Sequence, residues 1–402
     1  MLRRNYLYWF LREYYVIIRS LVSRQFDTAS SLKKKRILFY HIDSLGYAGT
    51  EKFMQVLAKH LDKEKYETYY LYPYKDDTGY LKRLAYINEG NVTGIPFSFK
   101  KVQDQHPYFV YGMNPDIKKL IKVLNIDLLV TAGSGHAAYP FSIIKNIPII
   151  LLNIFGHINI QKNIAYHICT SKEVTEKLRP IVPEHKIKIL PVPMEEPPQQ
   201  AVHDGKELRK KFGIKETDMV FGRIGRPADA IFDPIGIQAF KEVVNHDASV
   251  HYLIMSPPPV LTKIVQEENI PNVHFLSPTS SESEVWAFHH AIDALAHYRN
   301  DGESFGLNIA ESMLASKPIL SHKSHIWNAH TEYLDPSFSR VSEKDDVKTY
   351  ANNMREFVEL HKQGKLVEIG AKARNNAEAF LIKNNLPLFE EWINKSFKKK
   401  RS

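Results

Sequence analysis

Two glutamates eight positions apart, Glu303 and Glu311, flank Ser304-Phe305-Gly306-Leu307 in the stretch HYRNDGESFGLNIAESMLASKPIL (297–320). The stretch is predicted to leave a strand at His297, cross a polar loop through Asp301 and Gly302, and enter a helix near Leu307. Backbone N–H groups of Phe305, Gly306 and Leu307 then collect at a helix N-terminus, where unpaired donors and the helix dipole favour a phosphate. Gly306 allows close approach to the backbone. A carboxylate on each side can accept hydrogen bonds from the hydroxyls of a sugar or a ribose. A plainer reading stands beside this one. Asn308 followed three positions later by Glu311 has capping-box spacing, and Glu303 alone would be a solvated loop acid.

Such a site needs elements to hold it. From Arg36 onward, short apolar strands alternate with amphipathic helices, the signature of parallel α/β layers. Strands are predicted at 36–40, 67–72, 127–132, 148–153, 165–171 and 187–192. Helices are expected after the glycine loop (Phe53, Leu57 and Leu61) and near 116–123 and 137–145. PVPMEEPPQQAVHDG (191–205) reads as a linker. A second alternation follows, with strands at 219–225, 250–255, 272–277, 291–297 and 318–320 and helices at 233–245, 259–267, 281–290 and 307–316. After Asp345 the pattern is helical, with Pro387 breaking it before a last helix at 388–397. The expected fold is two Rossmann-like doubly wound α/β domains, 36–196 and 206–380, facing each other across a cleft, with ligands at the carboxyl ends of the strands.

Composition narrows the function classes. The 402 residues, 44% hydrophobic and 25% charged, fit two globular domains and exclude a disordered or fibrous chain. The single cysteine, Cys169, excludes a disulfide framework and a cysteine-built metal site, and it suits a reducing compartment. No apolar run approaches the roughly 18 residues that span a bilayer. The net charge of +9 is carried by the ends: residues 1–36 hold nine basic side chains against Glu13 and Asp27, and 395–402 hold five more, so the body is slightly acidic. That distribution argues against nucleic acid and for an anionic membrane surface. Within 6–26, Leu7, Phe10, Tyr14, Ile17 and Leu21 share one helical face and Arg12, Glu13 and Arg19 the other, with Tyr8, Trp9 and Tyr15 on the borders. Residues 1–35 are therefore expected to form an amphipathic membrane-surface helix and basic linker, the alternative being a helix packed on the body. The protein is accordingly placed in the cytoplasm, peripheral on the inner face of a membrane. No metal site is expected: Asp76-Asp77 and Asp345-Asp346 lack Asp-x-Asp spacing, and no zinc spacing occurs.

Glu303-Ser-Phe-Gly-Leu-Asn-Ile-Ala-Glu311, followed by Ser-Met-Leu-Ala-Ser-Lys-Pro-Ile-Leu, resembles the E-x7-E signature of family-4 retaining glycosyltransferases, two-domain GT-B enzymes that use nucleotide-sugars. The resemblance implies that Glu303 contacts the donor sugar, that Glu311 binds the ribose hydroxyls, and that the Ser304–Leu307 backbone holds sugar and phosphate. RILFYHIDSLGYAGTEKFMQVLAKHLDKEKYETYYLY (36–72) is similar to the family's first strand, glycine loop and helix, which assigns Gly46, Gly49 and Thr50 to a loop facing donor phosphate and acceptor. FGRIGRPADAIFDPIGIQAF (221–240) resembles the family's cation segment. Counted back from Phe240, its arginine is Arg226, while its lysine position holds Ile231; Arg223 and Lys241 are the cations available to stand in. His157 is expected to donate to the donor sugar, with His136 a second candidate and Asn153 near the same column. The resemblance further implies that helix 388–397 crosses back onto the first domain. The implied activity is retaining, metal-independent transfer of a sugar from a UDP- or GDP-sugar to a glycan or lipid-linked acceptor, with no cofactor. The alternative is a non-catalytic GT-B glycan-binding or scaffold protein, which Ile231 favours.

Overall fold

Lys35–Tyr40 (β1) passes from an exposed end into full burial at Ile37, Leu38, Phe39 and Tyr40. An unbroken apolar run of this kind suits a strand covered on both faces, as parallel sheets require. The computed structural model describes residues 34–41, 45–73, 78–97, 99–101, 111–113, 117–133 and 144–398. The segment 6–26, the helix expected near 137–145, His136 and Asp76-Asp77 lie outside the described residues. Among the described residues no helix is long and apolar enough to cross a membrane.

The chain divides into two units, the first containing described residues up to Thr170 with Val174–Pro193 and the chain from Asn385, the second Ser171–Glu173 and Met194–Asn384. In the first unit, β1 is joined by Tyr66–Pro73 (β2), Thr93–Phe97 (β3), Leu128–Gly133 (β6), Ile149–Asn153 (β7), Ile164–Cys169 (β8) and Ile187–Ile189 (β9). Phe99–Lys101 (β4) and Tyr111–Met113 (β5) form a separate antiparallel pair. The seven-stranded sheet is parallel throughout, in the order β3-β2-β1-β6-β7-β8-β9. Leu38, Tyr69, Leu71, Leu129, Ile149 and Leu151 belong to its core.

The second unit contains Met219–Ile224 (β10), Val250–Met255 (β11), Val273–Leu276 (β12), Ala294–Ala296 (β13), Gly302–Glu303 (β14), Ile319–His322 (β15), Trp327–Asn328 (β16) and Ser339–Ser342 (β17). Six of these make a parallel sheet in the order β12-β11-β10-β13-β15-β17, and β14 pairs with β16. Its core collects Phe221, Ile237, Phe240, Tyr252, Tyr298 and Phe357. Burying such a side chain is worth about 1.5–3 kcal/mol.

Two expectations change. The stretch 191–205 does hold the changeover between the units, at Pro193/Met194, but it is structured. Met194 pairs with Leu381, its N–H donating to Phe380 O (2.9 Å) and its carbonyl accepting from Ile382 N (2.8 Å). Its far end starts the helix Gln200–Lys211, where Gly205 lies so close to His290 and Ala291 that a Cβ would sit 2.8 Å from the His290 backbone. Proline-rich composition signalled a linker, but backbone pairing and close helix packing set the structure. Nor does Pro387 break the last helix, which runs unbroken over Ile382–Lys398. Pro387 and Lys383, whose carbonyl the missing N–H would have met, are both exposed, so water can satisfy that oxygen. Asn385, Phe389, Trp392, Ile393 and Ser396 share the buried face. Within the first unit, Glu390 accepts from Asp62 N (2.9 Å) and Asn394 from the Tyr66 hydroxyl (3.1 Å).

Candidate functional site

The second sheet reverses its strand order between β10 and β13, and in doubly wound sheets ligands bind outside the carboxyl ends at that point. Two segments leave the sheet there: Gly225-Arg226 after β10, and His297–Glu303 after β13. The second segment then enters the helix Leu307–Leu314. The helix is capped by Gly306 in a left-handed conformation (φ 91°). The N–H groups of Phe305, Gly306, Leu307 and Asn308 have no hydrogen-bond partner among the described residues. They form the unpaired donor cluster that an anion at a helix N-terminus requires.

Neighbouring side chains hold this loop. The Tyr333 hydroxyl donates to Phe305 O (2.5 Å) and lies 3.3 Å from Gly306 O, while the rings of Phe305, Tyr333 and Phe380 form one mutual cluster. Gly302 has φ 68°, and a Cβ there would lie 1.8 Å from Trp327 O. Only glycine allows the β14–β16 pairing that fixes the backbone of Glu303.

Both glutamates are backed by a buried histidine. Glu303 Oε1 lies 3.3 Å from His297 Nε2 and 3.7 Å from Arg299 Nη1. Burial by itself pushes the Glu303 carboxyl up, but His297, Arg299 and His330 outweigh it and hold the group below its ordinary range. Glu311 Oε2 lies 3.4 Å from Nε2 of the fully buried His289, whose Nδ1 is 2.8 Å from Ser312 Oγ. The capping-box alternative does not form: Gly306 is the cap, and the Asn308 side chain accepts from Ile309 N (2.9 Å).

The cations are arranged differently from their expected order. Arg226 is exposed on the loop after β10, whereas Arg223, within β10, is 2% exposed. Its guanidinium lies 5.1 Å from the Tyr298 ring centroid, and Nε and Nη1 have no hydrogen-bond partner among the described residues. Burial pushes the Tyr298 hydroxyl up to about 12 even though Arg223 pulls the other way. A buried guanidinium without a carboxylate is costly unless an anion completes it. Lys241 does not stand in, being exposed and paired with Glu268 (2.8 Å). Ile231 is half-buried in the turn Asp229–Ile231, its carbonyl accepting from Asn300 N (3.1 Å).

In the first unit the strand order reverses between β1 and β6. Gly46 follows β1, and its carbonyl accepts from Gln55 Nε2 (3.0 Å), while Gln55 Oε1 accepts from the buried Arg83 Nε (2.5 Å). Gly49 and Thr50 open the helix Gly49–His60. His157 is half-buried beyond β7, its carbonyl accepting from Asn153 Nδ2 (2.7 Å). The sequence reading named Arg223 only as a stand-in cation and passed over His289, His297, Asn308 and Tyr333 as contributors. His297 carried a usable signal, since the residue after a buried parallel strand faces the binding end; Tyr333, 28 positions beyond Phe305, carried none.

No protein-family model and no curated protein sequence matches the chain. Among solved structures it is similar to a glycosyltransferase from Rickettsia africae (TM-score 0.72, 14% identity, over 91% of this chain and 100% of that one). It is also similar to HepE of Anabaena in complex with UDP and glucose (TM-score 0.68, 16% identity, 90% and 100%). A third is sucrose-phosphate synthase of Thermosynechococcus elongatus (TM-score 0.66, 13% identity, 91% and 100%). At these identities the likeness extends to the fold. Two parallel, doubly wound α/β units and these neighbours make it the GT-B fold.

Proposed function

We propose that the protein is a retaining glycosyltransferase that transfers a sugar from a UDP- or GDP-sugar to a glycan or lipid-linked acceptor in surface polysaccharide or glycoconjugate synthesis. The observation that carries this reading is the row of unpartnered amides at Phe305–Asn308, flanked by Glu303 and Glu311 at the switch point of the second sheet. The solved neighbour HepE holds UDP and glucose, and the pneumococcal O-GlcNAc transferase GtfA, of the same fold, holds UDP and GlcNAc.

In this reading Glu311 accepts from the ribose hydroxyls and Glu303 from the sugar. The Ser304–Leu307 backbone grips the diphosphate, and Arg223 supplies the buried positive charge with Arg226 at the rim. These fixed dipoles and cations stabilise the departing diphosphate without a metal or other cofactor. The bond from the anomeric carbon to the diphosphate oxygen breaks as the acceptor hydroxyl attacks the same face, and the hydroxyl proton passes to the leaving diphosphate. Gly46, Gly49, Thr50 and His157 are proposed to serve the acceptor and donor sugar from the first unit, and His136 is a further candidate there. The proposal includes a cytoplasmic location, with residues 1–35 resting on an anionic membrane surface. Liposome flotation of the full chain against one lacking residues 1–30 tests that part, and equal flotation contradicts it.

Ile231 in place of a cation favours one second reading, a non-catalytic GT-B protein that binds glycans or scaffolds a membrane assembly. A panel of UDP-, GDP-, CMP- and ADP-sugars, assayed for hydrolysis and transfer with Glu311→Ala as control, separates the two. Turnover abolished by the substitution supports the enzyme. Binding of a donor without turnover supports the scaffold.

A further inference from the structure

We propose that His297 is a positioning residue for Glu303, its ring locked by Asn308 so that one N–H faces the carboxylate. The inference rests on the reading of Glu303 as the sugar-contacting acid. Four contacts fix the arrangement. Asn308 Oδ1 accepts from Ile309 N (2.9 Å), which settles which end of the amide is oxygen. Asn308 Nδ2 therefore donates to Ile224 O at the end of β10 (2.8 Å) and to His297 Nδ1 (3.2 Å). An Nδ1 that accepts leaves the proton of a neutral imidazole on Nε2. That nitrogen is buried, has no hydrogen bond among the described residues, and lies 3.3 Å from Glu303 Oε1, an ion-pair contact.

The chain of contacts joins the last residue of β10, the first residue beyond β13 and the first turn of the helix Leu307–Leu314. It therefore ties Glu303 to the same elements that present the amide cluster. The ring is 4% exposed and stands edge-on to His330 (6.3 Å between centroids), so it has little room to turn. Glu303 Oε1 lies within ion-pair distance of His297 Nε2 (3.3 Å) and Arg299 Nη1 (3.7 Å), and neither contact is an aligned hydrogen bond. Both contacts fall on Oε1, which leaves Oε2 the freer oxygen to accept from a ligand hydroxyl. Support of this kind matters because a binding carboxylate must be held in one orientation before the ligand arrives. It acts on the sugar half of the donor and leaves the nucleotide half, on Glu311, alone.

Two substitutions divide the ring's functions. His297→Asn keeps a group at the Nδ1 position for Asn308 and loses the reach to Glu303. His297→Gln extends an amide N–H toward the carboxylate. Both are compact and polar. Calorimetry on the full chain compares UDP with UDP-glucose, or GDP with GDP-mannose if the wild type binds that pair instead. The expected result is that His297→Asn weakens the nucleotide-sugar about tenfold, the weight of one close polar contact to a charged group, and changes the bare nucleotide by less than about twofold. His297→Gln stays within about threefold of wild type on both ligands. The inference is overturned if His297→Asn matches wild type, if it weakens nucleotide and nucleotide-sugar equally, or if His297→Gln is as weak as His297→Asn. A wild type that binds neither pair overturns the donor-site reading itself and this inference with it, a distinct result.

Discussion

At the scale of single residues, the site depends on groups that would be costly anywhere else. Gly306 holds φ at 91°, and a Cβ there would stand 3.0 Å from both Ile309 Cδ1 and Tyr333 Oη. Gly306→Ala is predicted to cost about 1–3 kcal/mol in a urea melt, the usual weight of a side chain forced into that backbone region. The same variant should lose nucleotide-sugar affinity, because the displaced helix cap carries the amides. Unchanged stability would show that the loop relaxes freely. Cys169 has the opposite character. Burial pushes its thiol up to about 12, so native protein should resist a disulfide reagent at pH 8 and react once unfolded. Fast labelling of the native protein would contradict that burial. The two glutamates and Gly306 stood out in the sequence by type and spacing, but the family resemblance, not spacing alone, set them above the capping-box reading. Arg223 was not chosen there, because counting without gaps from Phe240 fell on Arg226, and only the β10 backbone reveals which arginine is buried.

At the scale of elements, the strands were legible and several helices were not. Buried parallel strands such as Ile149–Asn153 and Val250–Met255 are largely apolar runs and stand out from their surroundings. The helices Thr78–Glu89 and Lys172–Leu178 and the strand Ser339–Ser342 went unread, since their patterns are short or mixed with polar residues. Pro387 misled for a different reason. A helix interior tolerates a proline when its buried face is strong and the freed carbonyl meets water. Pro387→Ala restores the bond to Lys383 O, and the full chain is expected to gain about 1 kcal/mol in denaturant unfolding, less than the full proline penalty because alanine also frees the unfolded chain. A loss of stability would mean that the ring packs usefully where it stands.

At the scale of the whole molecule, each unit keeps a buried histidine short of a proton. His167 in the first unit and His330 in the second are each 1% exposed, and burial, the largest cause, lowers both from the ordinary histidine value to about 4. The neighbouring Lys186 adds to the effect at His167, and His297 at His330. The unfolded chain takes up these protons below about pH 6.5 while the native protein does not, so their stabilisation is complete above pH 6.5 and is lost as pH falls toward 4. The melting temperature should fall across that window, and His167→Gln and His330→Gln should each flatten the decline. A melting temperature that stays constant from pH 6.5 to 4 would contradict this. The two-unit α/β architecture was legible from strand and helix alternation, because that pattern is repeated along nearly the whole chain. The changeover at Pro193/Met194 falls within the proline-rich stretch 191–205, but the pairing of Met194 with a backbone partner almost two hundred positions later was not legible there.

The central claim is that the amides of Phe305–Asn308, between Glu303 and Glu311, receive a nucleotide-sugar diphosphate. Its most direct test is a crystal structure of the protein grown with the UDP- or GDP-sugar it binds most tightly. The account predicts phosphate oxygens within hydrogen-bond distance of these amides, ribose hydroxyls on Glu311 and the sugar on Glu303. A ligand bound elsewhere, with these amides left to water, would contradict it.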